Sequence, residues 1–324
     1  MIRRTFMIGA GVTAVGAFAL AACSDKTRHA IPANTAEAAH PPLGRLIDIG
    51  GMNVHATEEG SADAQPVVLI HGANVNLRDW TWSLSRRLSK SYRVIAMDRP
   101  GFGYSDRPNG DWTPAKQAAA LRAAAQEMGA DQPIVVGHSW GASVALGWAI
   151  DAPDSLSGVV SVSGATMPWG TGIDILSRLG VSRAGANWYT SRLARQAEEG
   201  AIEDFVTRAF YPQSPPHGYL NYVGAPLSQR AITMNANADD LATIHRALSL
   251  QSRRYSEINV PVEMVHGRND WLLEPERHVD GFRAVVPHAN AIVADNVGHM
   301  AHHARPTLLV DAVNRIARAA TQTA

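Results

Sequence analysis

The sequence predicts an α/β fold: a doubly wound, mostly parallel sheet of about eight strands, with a helical cap inserted between two of them. Short apolar runs rich in valine and isoleucine alternate with stretches of helical character over most of the chain. The runs lack a polar–apolar alternation, which is typical of strands buried on both faces of a parallel sheet. The rhythm stops between residues 164 and 238 and then resumes, which indicates an insertion.

The elements follow one another in a regular order. RLIDIG and MNVHATEEG predict two short strands, joined in an antiparallel hairpin at Gly50-Gly51. Buried strands are predicted at 66–72, 92–98, 133–139 and 157–164, with helices at 79–90, 113–128 and 140–152. After the insertion come a strand at 260–267, a helix near 275–285, a strand at 289–296 and a last helix from residue 302.

The insertion contains five prolines and helical pieces near 173–180 and 187–210, without a buried-strand run. A structureless loop of this length is uncommon in a compact domain, so we predict a helical cap over 164–238. The core is assigned to 44–163 and 239–324, with a helix at 239–250 leading back to the sheet.

The N-terminus resembles a bacterial lipoprotein signal peptide, assigned to residues 1–22. Arg3 and Arg4 precede a short apolar stretch that ends in small residues before Cys23, the only cysteine of the sequence. The resemblance implies cleavage and acylation at Cys23, and 23–43 are predicted to be a lipid-anchored flexible tether. RRTF also resembles part of a twin-arginine export signal, so the export route stays open. We expect a cell-envelope lipoprotein that contacts the membrane through this lipid only.

Charge and motifs exclude several classes of function. Lys plus Arg and Asp plus Glu both total 29, so no basic surplus indicates nucleic-acid binding. The sequence has no dinucleotide fingerprint, no phosphate-binding loop and no zinc-type cluster of His and Cys. We therefore expect no cofactor and no metal, whereas the oligomeric state is not predicted.

Ser139 lies in VVGHSWGASVAL between Gly137 and Gly141, after a β-branched run and before a helix-forming one. A serine hydroxyl is a poor nucleophile unless a base lies within hydrogen-bond reach and donors stabilise the oxyanion. A tight strand-to-helix turn exposes the hydroxyl and aims the helix N-terminal amides at the reacting centre. Ser139 is therefore the predicted nucleophile.

The predicted general base is His299, which follows the last strand on a loop at the carboxyl end of the sheet. His302 and His303, one helical turn further on, are expected to face solvent or backbone.

The predicted orienting carboxylate is Asp270, which follows the strand VEMVHG. Its alternatives are a helix cap or turn role for Asp270 itself, and two rival acids, Asp295 and Asp98.

Together these motifs resemble those of the α/β-hydrolase fold family, over 45–163 and about 255–320. The segments that carry the resemblance are HGAN, MDRPGFGYSDRP, GHSWG, HGRND and VGHM. The resemblance implies an oxyanion hole formed by the amides of Trp140 and Ala73. It also implies a structural role for His71 and a loop-ordering role for Asp98.

The resemblance implies acyl transfer through a covalent intermediate on the serine, and the predicted substrate is a small carboxylic ester with an apolar part. A serine at the elbow argues against haloalkane dehalogenases and epoxide hydrolases, which the chain also resembles but which use an aspartate there. Asn74, Trp169, Trp188 and Tyr211 are candidates for contacting the substrate. Cap aromatics are equally typical of a cap's own small core.

Other functions stay open on the same motifs. Carbon–carbon bond hydrolases and perhydrolase or haloperoxidase-like enzymes share the serine triad. Prolyl aminopeptidases also share it, but they usually carry HGGPG where this chain has HGANV. An alternative of another class is a catalytically retired, lipid-anchored binding module.

Overall fold

The structure is a computed structural model that describes residues 33–169 and 201–323. Its strands are β1 (Arg45–Asp48), β2 (Asn53–Glu59), β3 (Pro66–Ile70), β4 (Arg93–Met97), β5 (Ile134–His138), β6 (Gly158–Val162), β7 (Val262–Gly267) and β8 (Asn290–Ala294). Within the described residues they form an eight-stranded sheet in the order β1-β2-β4-β3-β5-β6-β7-β8. The β1–β2 and β2–β4 pairs are antiparallel and all other pairs are parallel. The predicted fold class is confirmed.

The centre of the sheet is buried on both faces, which explains the unbroken apolar runs. All residues of β4, β5 and β6 are buried. Successive residues of β3 point to opposite faces, so Val68 and Val67 belong to two different apolar clusters. Each fully buried valine, leucine or isoleucine contributes about 1.5–3 kcal/mol to folding.

Helices cover both faces of the sheet. They are Ala33–Ala39, Arg78–Thr81, Leu84–Leu88, Pro114–Glu127, Trp140–Asp151, Ala201–Phe210, Tyr219–Val223, Ala225–Ser228, Ala231–Gln251, Gly281–Arg283, Ala301–Ala304 and Pro306–Thr323. Within the described ranges, none of them combines the length and apolarity needed to cross a membrane.

Two predicted helices are each divided in the structure. The helix predicted at 79–90 breaks at Ser83, whose φ of −152° leaves the helical region. The last helix breaks at Arg305, because proline at the next position disfavours helical backbone in the residue before it.

Between residues 201 and 238 the described part of the insertion consists mainly of helices, which agrees with the helical cap predicted over 164–238, whereas residues 164–169 form no helix. The predicted helix at 173–180 and the first part of the one at 187–210 lie outside the described residues. The predicted return helix belongs to the longer helix Ala231–Gln251, so the cap–core boundary drawn at 238 falls inside one continuous helix.

The N-terminal part of the described chain is attached to the core. Residues 1–32, with the predicted signal peptide and Cys23, lie outside the described residues. After them, the helix Ala33–Ala39 is tied down by an ion pair of 2.6 Å between Glu37 and Arg230. The Tyr104 hydroxyl donates to the carbonyl of His40. Residues 33–42 are therefore docked on the protein, where the sequence predicted part of a flexible tether.

Candidate active site

Ser139 occupies a sharp turn between β5 and the helix Trp140–Asp151. Its backbone has φ +52° and ψ −115°, a conformation that non-glycine residues rarely adopt. The two flanking glycines permit this turn, because a Cβ on Gly137 would overlap the Gly141 carbonyl and one on Gly141 would overlap the Ile70 carbonyl. A strained, tightly packed serine at the end of a strand is the arrangement of a nucleophile elbow.

Gly141→Ala is expected to destabilise the protein by about 3 kcal/mol or more, because the new methyl group would meet fixed backbone atoms of Ile70 and His71. Urea unfolding would measure the loss. Gly281→Ala is the matched control, since its Cβ would lie 3.6 Å from the nearest atom and its φ is −60°. The control should be neutral or slightly stabilising, and equal losses in both variants would contradict the argument.

His299 and Asp270 are brought together at the carboxyl ends of the neighbouring strands β7 and β8. His299 Nδ1 lies 2.8 Å from Asp270 Oδ2, and both side chains are buried. The other carboxylate oxygen accepts hydrogen bonds from the amides of Leu272 and Leu273, each at 3.0 Å. These bonds fix the orientation of the carboxylate, so the imidazole is held with its Nδ1 towards an anion.

The Asp270 carboxylate stays ionised although it is buried. Burial alone would raise its pKa, but the charge of His299 and hydrogen bonds from His266 and His299 outweigh burial and hold the pKa well below its usual range. An anion in contact with Nδ1 stabilises an imidazolium when Nε2 takes a proton. The pair has the chemistry of a general base with its orienting acid.

The rival acids lie elsewhere. Asp295 is exposed and pairs with Arg268 at 2.7 Å. Asp98 is buried, and its carboxylate accepts from the amides of Leu77 and Tyr104 and contacts His55 Nδ1 at 2.6 Å. It therefore orders loops, as the sequence predicted.

The loop that follows β3 lies against the elbow. A Cβ on Gly72 would stand 3.1 Å from that of Ser139. The Nδ1 atom of His71 lies 2.8 Å from the carbonyl oxygen of Gly72, and its Nε2 accepts a hydrogen bond of 3.0 Å from the backbone amide of Arg99. Burial and the Arg99 charge lower the pKa of His71 to about 3, so the imidazole is neutral and serves to shape the loop.

Ser139, His299 and the loop after β3 all line one cavity of about 360 Å³, a size suited to a small molecule. Ser139, Trp140, Ala73, Asn74 and His299 all line it. Trp140 is the first residue of its helix, so its amide has no carbonyl partner within that helix. The rest of the described wall is mostly apolar and includes Val75, Ile202, Phe205, Phe210, Tyr219, Leu220, Val223, Leu241, Ile244, Trp271, Leu272 and Met300, together with the polar His138, Asp204, Arg208, Ser228, Gln229 and Asn237.

The comparison with known families agrees with this geometry. The family described as alpha/beta hydrolase fold matches residues 65–306. The chain belongs to the α/β-hydrolase fold family. The chain is also similar in sequence to the 2-hydroxymuconate semialdehyde hydrolase of Pseudomonas sp. strain CF600. The two are 27% identical over 255 residues, which cover 74% of this chain and 87% of that protein.

Two solved structures show the same fold at low sequence identity. The enol-lactonase from Burkholderia xenovorans LB400 superposes with a TM-score of 0.67 at 17% identity, over 85% of this chain and all (100%) of that chain. A membrane phospholipase A superposes with a TM-score of 0.65 at 18% identity, over 94% of this chain and 92% of that chain.

Within this hydrolase fold, the predicted pocket residues are placed differently from one another. Asn74 lines the cavity, and its backbone amide donates a hydrogen bond of 3.0 Å to Asn237 Oδ1. Trp169 is buried against His278, with ring centroids 5.2 Å apart, and is not among the described wall residues. Tyr211 is 63% exposed, and Trp188 lies outside the described residues.

Phe210 and Tyr211 are adjacent, but only Phe210 faces the cavity. Phe210 is the last residue of the helix Ala201–Phe210 and is buried, whereas Tyr211 follows that helix and is exposed. Phe205 lies on the same helix and also lines the wall. The aromatic content of the cap was visible in the sequence, but the point at which this helix ends was not.

His302 and His303 correct another prediction, because neither faces solvent or backbone. Their Nε2 atoms lie 3.0 Å and 2.7 Å from the two oxygens of Asp79, which is buried. The Tyr219 hydroxyl donates to the same carboxylate at 2.7 Å. No motif or spacing in the sequence indicates this cluster, since Asp79 stands 223 and 224 positions away from the histidines.

Arg99 ties the loop after β3 to the insertion. Its guanidinium donates to the carbonyls of His71 and Gly72 at 3.1 and 2.9 Å. It also pairs with Asp240, on the helix Ala231–Gln251, at 2.5 Å, and both side chains are fully buried. Burial lowers the pKa of Arg99 to about 10, and the Asp240 charge limits that shift.

Asp240→Asn is expected to lower the free energy of unfolding by about 3–5 kcal/mol, because it leaves the Arg99 guanidinium buried without its anion. Denaturant unfolding would measure this. Asp151→Asn is the control, since it removes an exposed ion pair of 2.7 Å with Arg254 and should leave the unfolding midpoint unchanged. A midpoint for Asp240→Asn equal to that of the wild type would contradict the argument.

Proposed function

We propose that this hydrolase cleaves small carboxylic esters with an apolar acyl or alcohol part, through an acyl-enzyme on Ser139. The observation that carries the proposal is the shared cavity: Ser139 and His299 both line it, and His299 is hydrogen-bonded to Asp270 through Nδ1. A serine, a buried carboxylate and an imidazole, in this order along the chain, form the triad of a serine hydrolase of this fold.

The chemistry proceeds in two steps. Asp270 contacts His299 through Nδ1, so Nε2 is the nitrogen that acts as the base. It takes the proton of the Ser139 hydroxyl as Oγ attacks the carbonyl carbon. The oxyanion accepts hydrogen bonds from the amides of Trp140 and Ala73. The imidazolium then protonates the leaving alkoxide, the bond to it breaks, and an ester of Ser139 remains.

Deacylation repeats the sequence with water. His299 deprotonates a water molecule that attacks the acyl carbon, and the tetrahedral intermediate collapses with release of the carboxylic acid. The proton returns to Ser139 Oγ through His299. Asp270 stays ionised throughout and stabilises the transient imidazolium.

The wall of the cavity supports an apolar substrate. Phe205, Phe210, Leu220 and Ile244 line it, so an alkyl or aryl group would replace water against apolar surface. Each methylene of such a group that leaves water contributes about 0.8 kcal/mol of binding free energy.

Carbon–carbon bond hydrolysis is the second candidate. The observation that favours it is the 27% identity, over most of both chains, to a protein named 2-hydroxymuconate semialdehyde hydrolase. The same three side chains would serve that reaction, with a carbanion in place of the alkoxide as leaving group.

The experiment is a panel of p-nitrophenyl esters, acetate, butyrate, octanoate and palmitate, assayed with the full-length protein. A fluorophosphonate probe, with mapping of the labelled residue by mass spectrometry, tests the nucleophile independently of substrate choice. Turnover that peaks at one acyl length, with label on Ser139, is the expected result. Label on Ser139 without turnover of any ester would overturn the ester assignment in favour of the second candidate, and no label would overturn both.

We also propose that the enzyme works in the cell envelope, anchored through acylated Cys23. The order of charged, apolar and small residues before Cys23 supports this. Cys23→Ser is expected to abolish incorporation of a palmitate analogue into the protein, as measured by metabolic labelling and immunoprecipitation. Equal labelling of the variant and the wild type would contradict the anchor.

A further inference from the structure

A second cluster of polar side chains lies next to the catalytic residues and has no part in the proposed reaction. It consists of Asp79, His302 and His303, whose ligand atoms all lie within 4.8 Å of one another. We propose that this cluster, completed by His138, binds one divalent metal ion of the zinc type. The site is independent of which reaction the hydrolase catalyses.

His138 has the hydrogen-bonding pattern of a metal ligand. Its side chain is 4% exposed, and its Nδ1 has no hydrogen-bond partner among the described residues and stands 3.9 Å from Asp79 Oδ2. Its other nitrogen, Nε2, lies 3.1 Å from the carbonyl of His299. Histidines that bind a metal through one nitrogen commonly donate the other N–H to a backbone carbonyl or a carboxylate.

The charge of Asp79 also calls for a cation. The carboxylate is fully buried, and within the described residues no arginine or lysine forms an ion pair with it. Its contacts are the neutral hydroxyl of Tyr219 and the imidazoles of His302 and His303. A buried carboxylate with no arginine or lysine beside it is costly, and a bound metal ion would neutralise it.

The spacing and the donor types select zinc. A tetrahedral ion with bonds near 2.0–2.1 Å places its ligand atoms about 3.4 Å apart. Asp79 Oδ2 lies 3.0 Å from His302 Nε2 and 3.9 Å from His138 Nδ1, on either side of that value. His303 Nε2 lies 2.7 Å from the other oxygen, Oδ1, and within 4.8 Å of the remaining ligand atoms of the cluster. Three imidazoles and one carboxylate suit Zn²⁺ better than Mg²⁺ or Ca²⁺, which prefer oxygen ligands. The Tyr219 hydroxyl would remain as the outer hydrogen bond to the ligating carboxylate.

The location of the ligands gives the ion a structural task. His138 directly precedes Ser139, and His302 lies three residues after His299 on the short helix Ala301–Ala304. Asp79 lies on the helix Arg78–Thr81, which follows the loop after β3. One ion with four protein ligands would therefore clamp the segments that carry the nucleophile, the base and the oxyanion loop. This reverses the expectation, drawn from sequence spacing alone, that the chain holds no metal.

The test uses the full-length protein, stripped of metal by a chelator and then titrated with Zn²⁺ in competition with a chromophoric chelator. His303→Gln removes one ligand, and His245→Gln is the control, an exposed histidine on the helix Ala231–Gln251. One Zn²⁺ per chain should bind to the wild type and to the control. Binding to His303→Gln should be weaker by about 100-fold. Removal of Zn²⁺ should lower the melting temperature of the wild type but not of His303→Gln.

Co²⁺ substitution of the wild-type protein is a second measurement that needs no variant. Intense visible absorption bands, typical of tetrahedral Co²⁺ with nitrogen and oxygen ligands, are expected. Their absence, or the weak bands of octahedral Co²⁺, would overturn the proposal. Equal Zn²⁺ affinity of the wild type and a folded His303→Gln would overturn it as well, because the ion would then be bound elsewhere.

Discussion

Ser139→Ala is expected to lower kcat for ester hydrolysis on the order of 10⁶-fold, with little change in KM. The variant loses the only atom that forms the covalent bond to the acyl group, so no acyl-enzyme can form. The amides of Trp140 and Ala73 and the apolar wall stay in place, and substrate binding should persist. Steady-state kinetics on the preferred ester would measure both constants.

The loss should come from chemistry and not from unfolding. Alanine replaces serine at φ +52° with one atom removed and no new contact, so the melting temperature should change little. Ser163→Ala is a matched control, because Ser163 also has positive φ, 41°, directly follows the neighbouring strand β6 and has a buried Oγ with no hydrogen-bond partner among the described residues. Wild-type kcat in Ser163→Ala and background activity in Ser139→Ala are the expected pair.

A double variant sharpens the result. If Ser139 and His299 act as one unit, Ser139→Ala combined with His299→Ala should be no slower than Ser139→Ala alone. A further loss of tenfold or more in the double variant would mean that His299 contributes through some other route. Substantial turnover in Ser139→Ala alone would remove the proposed mechanism altogether.

The elbow and the acid–base pair could be predicted because their causes are local or topological. The need for Gly137 and Gly141 comes from close backbone approaches that a strand–turn–helix sequence already implies. The contact between His299 and Asp270 follows from parallel order, since the carboxyl ends of β7 and β8 meet at one edge.

The features that the sequence missed depend on packing between distant segments. Asp79 meets His302 across 223 positions, and Glu37 meets Arg230 across 193. Neither periodicity nor spacing in the sequence predicts such a pair. Whether the two side chains meet depends on where the helices pack against the sheet. Tyr211 was misplaced for a smaller reason: it lies one residue beyond the end of the helix Ala201–Phe210 and is exposed, whereas Phe210 lines the cavity.

Asp270→Asn is expected to lower kcat by about 10⁴-fold while the fold stays intact. The reason lies in how the amide would be oriented. Leu272 and Leu273 both donate to Asp270 Oδ1, so the asparagine oxygen must occupy that position. Its NH₂ group would then point at His299 Nδ1, 2.8 Å away, where the carboxylate oxygen now lies.

An N–H facing Nδ1 forces the imidazole to accept there, so its proton moves to Nε2. Nε2 is the atom that must take the proton of Ser139, and a protonated Nε2 cannot do so. The buried negative charge that stabilises the imidazolium is lost at the same time. The decrease should therefore appear in kcat, with KM unchanged.

Asp295→Asn distinguishes this argument from a general effect of removing an acid near the site. Asp295 follows the adjacent strand β8, but it is exposed and pairs with Arg268. Its replacement should leave kcat within about twofold of the wild type, because an exposed ion pair contributes little. A large loss in Asp295→Asn with near-normal kcat in Asp270→Asn would reassign the orienting acid, whereas the opposite pattern would establish that His299 works through Asp270.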